Sequence, residues 1–161
     1  QLQNDGAIYH NHKDGKSTIN GYLEDYAAAI EAFIALYQVT LDESWLHISK
    51  KMTDYVFQYF FDEQKHMFYF TSSKDDKLIT RLFEYQDNVI PASNSIMAKN
   101  LFKLSLYYND QKYAATAKQM LKNVLTELSS YPIGFIYVCI DNTCNVPVSE
   151  INKAIKSIKK N

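Results

Sequence analysis

The feature that most constrains this chain is an internal repeat. Sliding the sequence along itself by 68 residues aligns Asp42-x-x-Trp45 with Asp110-x-x-Tyr113 and pairs Leu36 with Leu104, Met52 with Met120, Val56 with Val124 and Phe60 with Leu128. Each copy carries two amphipathic runs. In the first, Tyr22, Tyr26, Ile30, Phe33, Ile34 and Tyr37 recur at helical spacing. A break follows at Leu41-Asp42-Glu43-Ser44, where Asp42 suits an N-cap and Glu43 a first turn. Trp45, Ile48, Met52, Tyr55, Val56, Tyr59 and Phe60 then share one face. The second copy offers Met97, Leu101, Leu104 and Tyr108, a break at Asn109-Asp110, and Tyr113, Ala117, Met120, Leu121, Val124 and Leu128. Breaks this short make the joined helices antiparallel neighbours, and repetition of such pairs is the mark of a helical-hairpin fold. The pattern predicts an all-α chain of antiparallel hairpins, with helices at about 22–40, 44–60, 94–108, 112–128 and 149–159, in one domain spanning 1–161.

Two longer segments carry extended structure. Phe61 to Thr71 reads as a turn leading into a short strand, and Gly6 to Lys16 as a β-hairpin turning at Asp14-Gly15. Each long segment leads into the first helix of its hairpin, so both helix starts fall at the same end of the assembly. That places Glu24, Asp25 and Tyr26 on one rim with Ser93, Asn94 and Ser95, since the 68-residue offset maps Asp25 onto Ser93 and Tyr26 onto Asn94. The loop before the second start adds Arg81, Glu84 and Asp87.

Helix N-termini present unpaired N–H groups and partial positive charge, which suit ligand oxygens. These nine residues are therefore the candidate ligand-binding set. Each also has a structural reading. Glu24 and Asp25 offset a helix dipole, Asn94 and Ser95 suit capping, and Arg81, Glu84 and Asp87 suit a loop salt-bridge network. For Asp87 the structural role is the expected one, with loop N–H groups and Arg81 as its partners.

Composition narrows the function classes. Net charge is −1 with scattered charges, which lacks the footprint of a nucleic-acid binder. Lys153, Lys156, Lys159 and Lys160 fit the last turns of a helix. No apolar run reaches the roughly 18 to 20 residues that span a bilayer, and no signal-peptide pattern is present, so a cytoplasmic protein is expected. Thirteen Tyr, nine Phe and one Trp suit wet pockets and interfaces as well as a core. Cys139 and Cys144, five apart without nearby His, make neither a zinc site nor a C-x-x-C redox pair, and are expected as unpaired thiols. His10 and His12 alternate along an extended run and so face opposite sides, which argues against a shared metal. His47 reads as surface, and neither a catalytic residue, a metal nor a cofactor is assigned.

Several of these segments resemble one family. Gly-Tyr-Leu-Glu-Asp-Tyr-Ala at 21–27 is similar to the G-x-L-[ED]-D-Y-A helix start of the YyaL, or spermatogenesis-associated-type, thioredoxin-domain-containing proteins. Glu84-x-x-Asp87-Asn88-x-x-Pro91-x-Ser93-Asn94-Ser95 resembles that family's E-x-x-D-[GN]-x-x-P-S-[GS]-N-S. Tyr137-Val-Cys139 through Cys144-Asn-Val-Pro147-Val resembles its closing segment. Ala92 departs from the usual Ser, and Phe83 stands where many members carry Lys. The likeness runs from about residue 7 to about 150. It implies a thioredoxin-like domain followed by an (α/α)6 toroid related to N-acylglucosamine 2-epimerases and six-hairpin glycosidases, of which this chain is the C-terminal part. It further implies a carbohydrate-like ligand, with sugar epimerase or glycoside hydrolase as the enzyme classes. The alternative is a non-catalytic scaffold serving the thioredoxin-like domain. Two hairpins leave apolar faces open, to be covered by the missing N-terminal part of the same protein or by a second copy.

Overall fold

A computed structural model of the chain describes residues 2–76, 79–128, 139–140 and 143–144. The chain forms two compact units, residues 1–121 and 122–161. It is mostly helical, with α1 at Leu23–Thr40, α2 at Ser44–Phe60, α3 at Ser93–Tyr108 and α4 at Gln111–Leu128. Between α2 and α3 lie β1, Phe61–Asp62, and β2, Met67–Phe68, which pair antiparallel with Phe61 opposite Phe68. In the second unit β3, Cys139–Ile140, pairs antiparallel with β4, Thr143–Cys144, so that Cys139 stands opposite Cys144. The helix expected at 149–159, the lysines on it and the environment of both thiols lie outside the described residues.

The repeat is reproduced down to its turns. After α1, Leu41 adopts φ 57° and its N–H reaches the Tyr37 carbonyl at 2.8 Å; after α3, Asn109 adopts φ 51° and its N–H reaches the Ser105 carbonyl. Left-handed residues of this kind close a helix by satisfying a last-turn carbonyl. Asn tolerates the conformation readily, whereas Leu41 adopts it at a cost. One residue on, the Asp42 carboxylate accepts the Ser44 N–H at 2.9 Å, and the Asp110 carboxylate accepts the Lys112 N–H at 2.8 Å. The structure places Glu43, not Asp42, at the N-cap of α2, and no acidic residue stands in its first turn; Asp42 holds the helix start from one residue further out.

α1 packs against α2 and also lies beside α3. Asn100 Nδ2 donates to the Ala27 carbonyl at 2.8 Å, and Gln38 Nε2 donates to the Tyr107 hydroxyl at 2.9 Å. One bond joins the second turn of α1 to the middle of α3 and the other joins the ends of both, so α1 and α3 run parallel. An ion pair between Lys99 and Glu31 lies beside the first bond. Leu23, Tyr26, Ile30, Ile34, Met52, Val56, Phe60, Phe68, Met97, Leu101, Leu104 and Met120 are fully buried together.

α1 is apolar nearly all round, whereas α2 and α4 each set a polar face against an apolar one. Its far side shows Ala28, Ala32, Ala35 and Leu36 exposed, with Val39 at 84%. Leu36 is exposed although Leu104, its partner in the repeat, is buried. Residues of α1 that turn away from both α2 and α3 find nothing to cover them among the described residues. α3 likewise exposes Phe102 and Leu106.

Asn100, fully buried, is the polar tie between the parallel helices. Asn100→Ala is expected to lower unfolding stability by about 1–3 kcal/mol in denaturant melts. An unchanged midpoint would show that this bond adds nothing to the packing and to the Gln38–Tyr107 and Lys99–Glu31 contacts between α1 and α3.

Candidate functional site

Both helix starts are sewn to one short piece of chain, Phe68 to Phe70. The first N–H of α1, on Leu23, donates to the Phe70 carbonyl at 2.9 Å. At α3 the Asn94 carboxamide behaves as a strand neighbour. Its Oδ1 accepts the Phe68 N–H at 2.9 Å, and its Nδ2 donates to the Phe68 carbonyl at 2.8 Å and to the Glu84 carbonyl at 2.8 Å. Phe70 N–H in turn donates to the Leu82 carbonyl at 2.8 Å, which draws residues 82–84 alongside. The two helix starts therefore share a rim, with 68–70 and 82–84 between them.

Capping of α3 comes from the loop, not from Asn94 or Ser95. Glu84 Oε2 accepts the Ser93 N–H at 3.0 Å, and Asp87 Oδ1 accepts the Ala92 N–H at 2.8 Å. Both carboxylates thus complement the positive end of the helix. Ser93 is buried and its hydroxyl has no hydrogen-bond partner, while Ser95 is half-buried. The pairing expected between Arg81 and Asp87 does not form. Arg81 Nη2 instead donates to the Tyr59 carbonyl at 3.1 Å and to the Thr71 carbonyl, and its guanidinium lies 4.1 Å above the Tyr69 ring. Tyr69 stacks at 4.2 Å on Phe83. The Tyr69 hydroxyl donates to Asp62 at 2.6 Å, and that bond, with the Lys65 and Gln64 N–H groups, holds the Asp62 carboxyl below its usual range.

On the α1 side the N-terminal arm folds back as a hairpin-like clamp. Lys13 and Lys16 pair around Asp14 at φ 51° and Gly15 at φ 75°, both positive as a tight hairpin turn requires. Gly6 seats the arm on α2, since at its φ of 94° a Cβ would stand 2.7 Å from the Lys51 carbonyl oxygen. Tyr26 is fully buried, stacked 5.5 Å from Tyr55, and its hydroxyl accepts the Ile8 N–H at 3.1 Å. Burial pushes the Tyr26 hydroxyl well above the ordinary tyrosine range. Tyr26 is therefore part of the core and of the arm's anchorage, and faces no open space.

Asp25 Oδ2 accepts the Tyr22 N–H at 2.8 Å, reaching back across the helix start, and meets His10 Nδ1 at 2.9 Å. The His10 ring packs 4.9 Å from Tyr22, and Tyr22 stacks 5.1 Å from Phe70. His12, two residues on, instead meets the Ser17 hydroxyl at 3.0 Å, as alternation along the arm predicts. Glu24 stands half-buried in the first turn with no hydrogen bond among the described residues.

Phe70, Leu82, Phe83, Glu84, Tyr85 and Gln86 line an open depression of about 470 Å³ with mainly apolar walls. Of the nine candidates, Glu84 lines it directly. Asn94 supports the wall from behind, and Asp25 lies outside the lining, joined to it only through Tyr22, whose ring stacks on Phe70. Arg81, Asp87, Ser93 and Tyr26 are occupied in holding the frame. Among the described residues no three His, Cys, Asp or Glu side chains gather to hold a metal ion, and no helix is long and apolar enough to cross a membrane. The sequence reading assigned His10 no role. The available signal was that a hairpin turning at Asp14-Gly15 must bring residues before it back to the start of α1.

No family model matches the chain. Over 85 residues, 52% of its length, it is 31% identical to spermatogenesis-associated protein 20 of Rattus norvegicus, and a match of the same extent is found in Homo sapiens. Over 122 residues, 75% of its length, it is 26% identical to the uncharacterized protein B0495.5 of Caenorhabditis elegans. The matched stretch spans 11% of the first two proteins and 16% of the third. These partial likenesses support a link to the spermatogenesis-associated protein 20 family.

The frame yields two expectations. Asn94→Ala leaves both buried backbone groups of Phe68 unpaired, while the Glu84 carbonyl keeps the Asn94 N–H, and is expected to cost about 2–4 kcal/mol in denaturant melts, whereas Asp87→Asn keeps an acceptor for the Ala92 N–H and is expected to cost under about 1 kcal/mol. The reverse order would show that the loop is held from Asp87. Asp62, with its carboxyl lowered on folding, adds stability that is complete above its unfolded value of about 3.9 and fades as pH falls through the folded one. The stability gap between the chain and Asp62→Asn should be constant above about pH 5 and close below about pH 4. A gap indifferent to pH would remove the charge from that account.

Proposed function

We propose that this chain is the C-terminal part of an (α/α) toroid protein and that the face where α1 and α3 begin binds a carbohydrate-like ligand. The observation that carries the reading is the depression walled by Phe70 and Phe83, with Glu84 on its lining. Aromatic rings offer flat apolar faces to the C–H side of a sugar, and carboxylates accept its hydroxyls. Sugar epimerase and glycoside hydrolase are the reaction classes this reading favours for the whole protein. Glycoside hydrolysis needs a free acid and a free base across a ring, whereas Asp25 and Glu84 each already accept a helix-start N–H. They are suited to holding a ligand, so binding is the function assigned to this segment.

Calorimetric titration with glucose, mannose and maltose tests it. Binding is expected, and Phe83→Ala should weaken it by about tenfold through lost ring contact. Silence across all three sugars would count against the reading.

A second reading is favoured by the exposed apolar residues Leu36, Val39, Phe102 and Leu106. In it the segment is a scaffold attached to a thioredoxin-like domain, and these faces are covered by the N-terminal part of the same protein or by a second copy. Sugar silence together with concentration-dependent association in sedimentation would favour the scaffold. A monomer at all concentrations that binds sugar would favour the first reading.

A further inference from the structure

Resting on the ligand reading above, we infer that His10 is a ligand-contacting residue of this site, with its Nε2 accepting a hydrogen bond from a ligand hydroxyl and Asp25 positioning the ring. An ionised carboxylate only accepts hydrogen bonds, so the bond between Asp25 Oδ2 and His10 Nδ1, 2.9 Å long, puts the proton of the neutral imidazole on Nδ1. Nε2 then carries the lone pair. It makes no hydrogen bond among the described residues, and the side chain is 39% exposed. Asp25 is itself fixed, because the same oxygen accepts the Tyr22 N–H at 2.8 Å. The His10 backbone is held by its N–H to the Ile19 carbonyl, and the imidazole by its Nδ1 and by the Tyr22 ring. An oriented imidazole with one free nitrogen is the arrangement by which proteins make histidine an acceptor of defined direction.

A clamp holding the arm to α1 is the competing account, and the arm does not need one. Ile8 N–H already donates to the Tyr26 hydroxyl, and Gly21 N–H to the Ile8 carbonyl at 2.9 Å. The ring instead packs on Tyr22, one ring beyond the lining of the depression. Tyr22 passes from His10, at 4.9 Å, to Phe70, at 5.1 Å, and Phe70 lines the depression. A polyhydroxylated ligand lying along Phe70 would extend over Tyr22 and present a hydroxyl to Nε2.

Two measurements on the whole chain test this. Diethyl pyrocarbonate acylates unprotonated imidazole nitrogen, and mass spectrometry reads each histidine separately. His12, on the same arm but against a hydroxyl, is the internal control. His10 is expected to react several times faster than His12, and Asp25→Asn to erase the difference. In parallel, His10→Gln is expected to leave the melting temperature unchanged while weakening binding of the responsive sugar among glucose, mannose and maltose by about tenfold. Because His10 lies outside the core, this second variant remains informative if Asp25→Asn fails to fold. Equal acylation of His10 and His12 overturns the inference, and so does sugar binding that His10→Gln leaves unaltered. A lowered melting temperature with unaltered binding assigns the clamp instead. No response to any sugar, with fast Asp25-dependent acylation retained, overturns the carbohydrate reading and supports His10 as an oriented acceptor for another hydroxylated ligand.

Discussion

The described site depends on one carboxamide. Asn94 bonds both backbone groups of Phe68 and the carbonyl of Glu84, so a helical residue takes the place of an absent strand. Asn is suited to this because it carries a donor and an acceptor in one plane at the spacing of a peptide group. Buried as it is, the arrangement works only when complete, since each unpaired backbone group would carry its full desolvation cost. Through Phe68 the bond fixes Phe70, and through Phe70 it reaches the first turn of α1. The register of two helix starts is set in this way by a loop residue pair that neither helix contains.

The division of labour among the helices follows from what flanks them. α2 and α4 each meet neighbours on one side and solvent on the other, and their sequences alternate accordingly. α1 has a neighbour on two sides and stays apolar on a third, where Ala28, Ala32, Ala35 and Val39 lie open. A helix apolar all round belongs inside a larger packing. This apolar face is legible in the sequence because α1 carries only Glu31 as a mid-helix charge, paired to Lys99.

Local chemistry made much of this readable in advance. The helix limits follow from apolar spacing and from Asp42 and Asp110, whose carboxylates bond backbone two residues ahead and need no tertiary partner. The turn at Asp14-Gly15 is local for the same reason. Leu36 and Leu104 are the counterexample, because identical residues at equivalent positions differ in burial once their neighbours differ. Glu84, Asn94 and Arg81 stood out as a polar cluster, yet their tasks did not. The partners of Asn94 lie 10 and 26 residues away, and those of Arg81 lie 10 and 22 residues away. Side chains that complete someone else's backbone leave no spacing signal. The contact of His10 with Asp25, fifteen residues on across a turn, leaves no spacing signal for a related reason.

The two copies of the repeat have diverged at their helix starts. In α3 the N-terminal charge is supplied from the loop, by Glu84 and Asp87, and the helix itself begins with uncharged Ser93 and Asn94. In α1 it is supplied from within the helix, by Asp25, at the position that Ser93 occupies in the second copy. A carboxylate in the loop can serve only as far as the loop is held, and Glu84 is held by the carboxamide beneath it. A carboxylate on the first turn of a long helix is held by the helix, which leaves its oxygen available to orient a further group. That difference explains why the imidazole is found on the α1 side of the rim. The wall of the depression is left to the loop before α3.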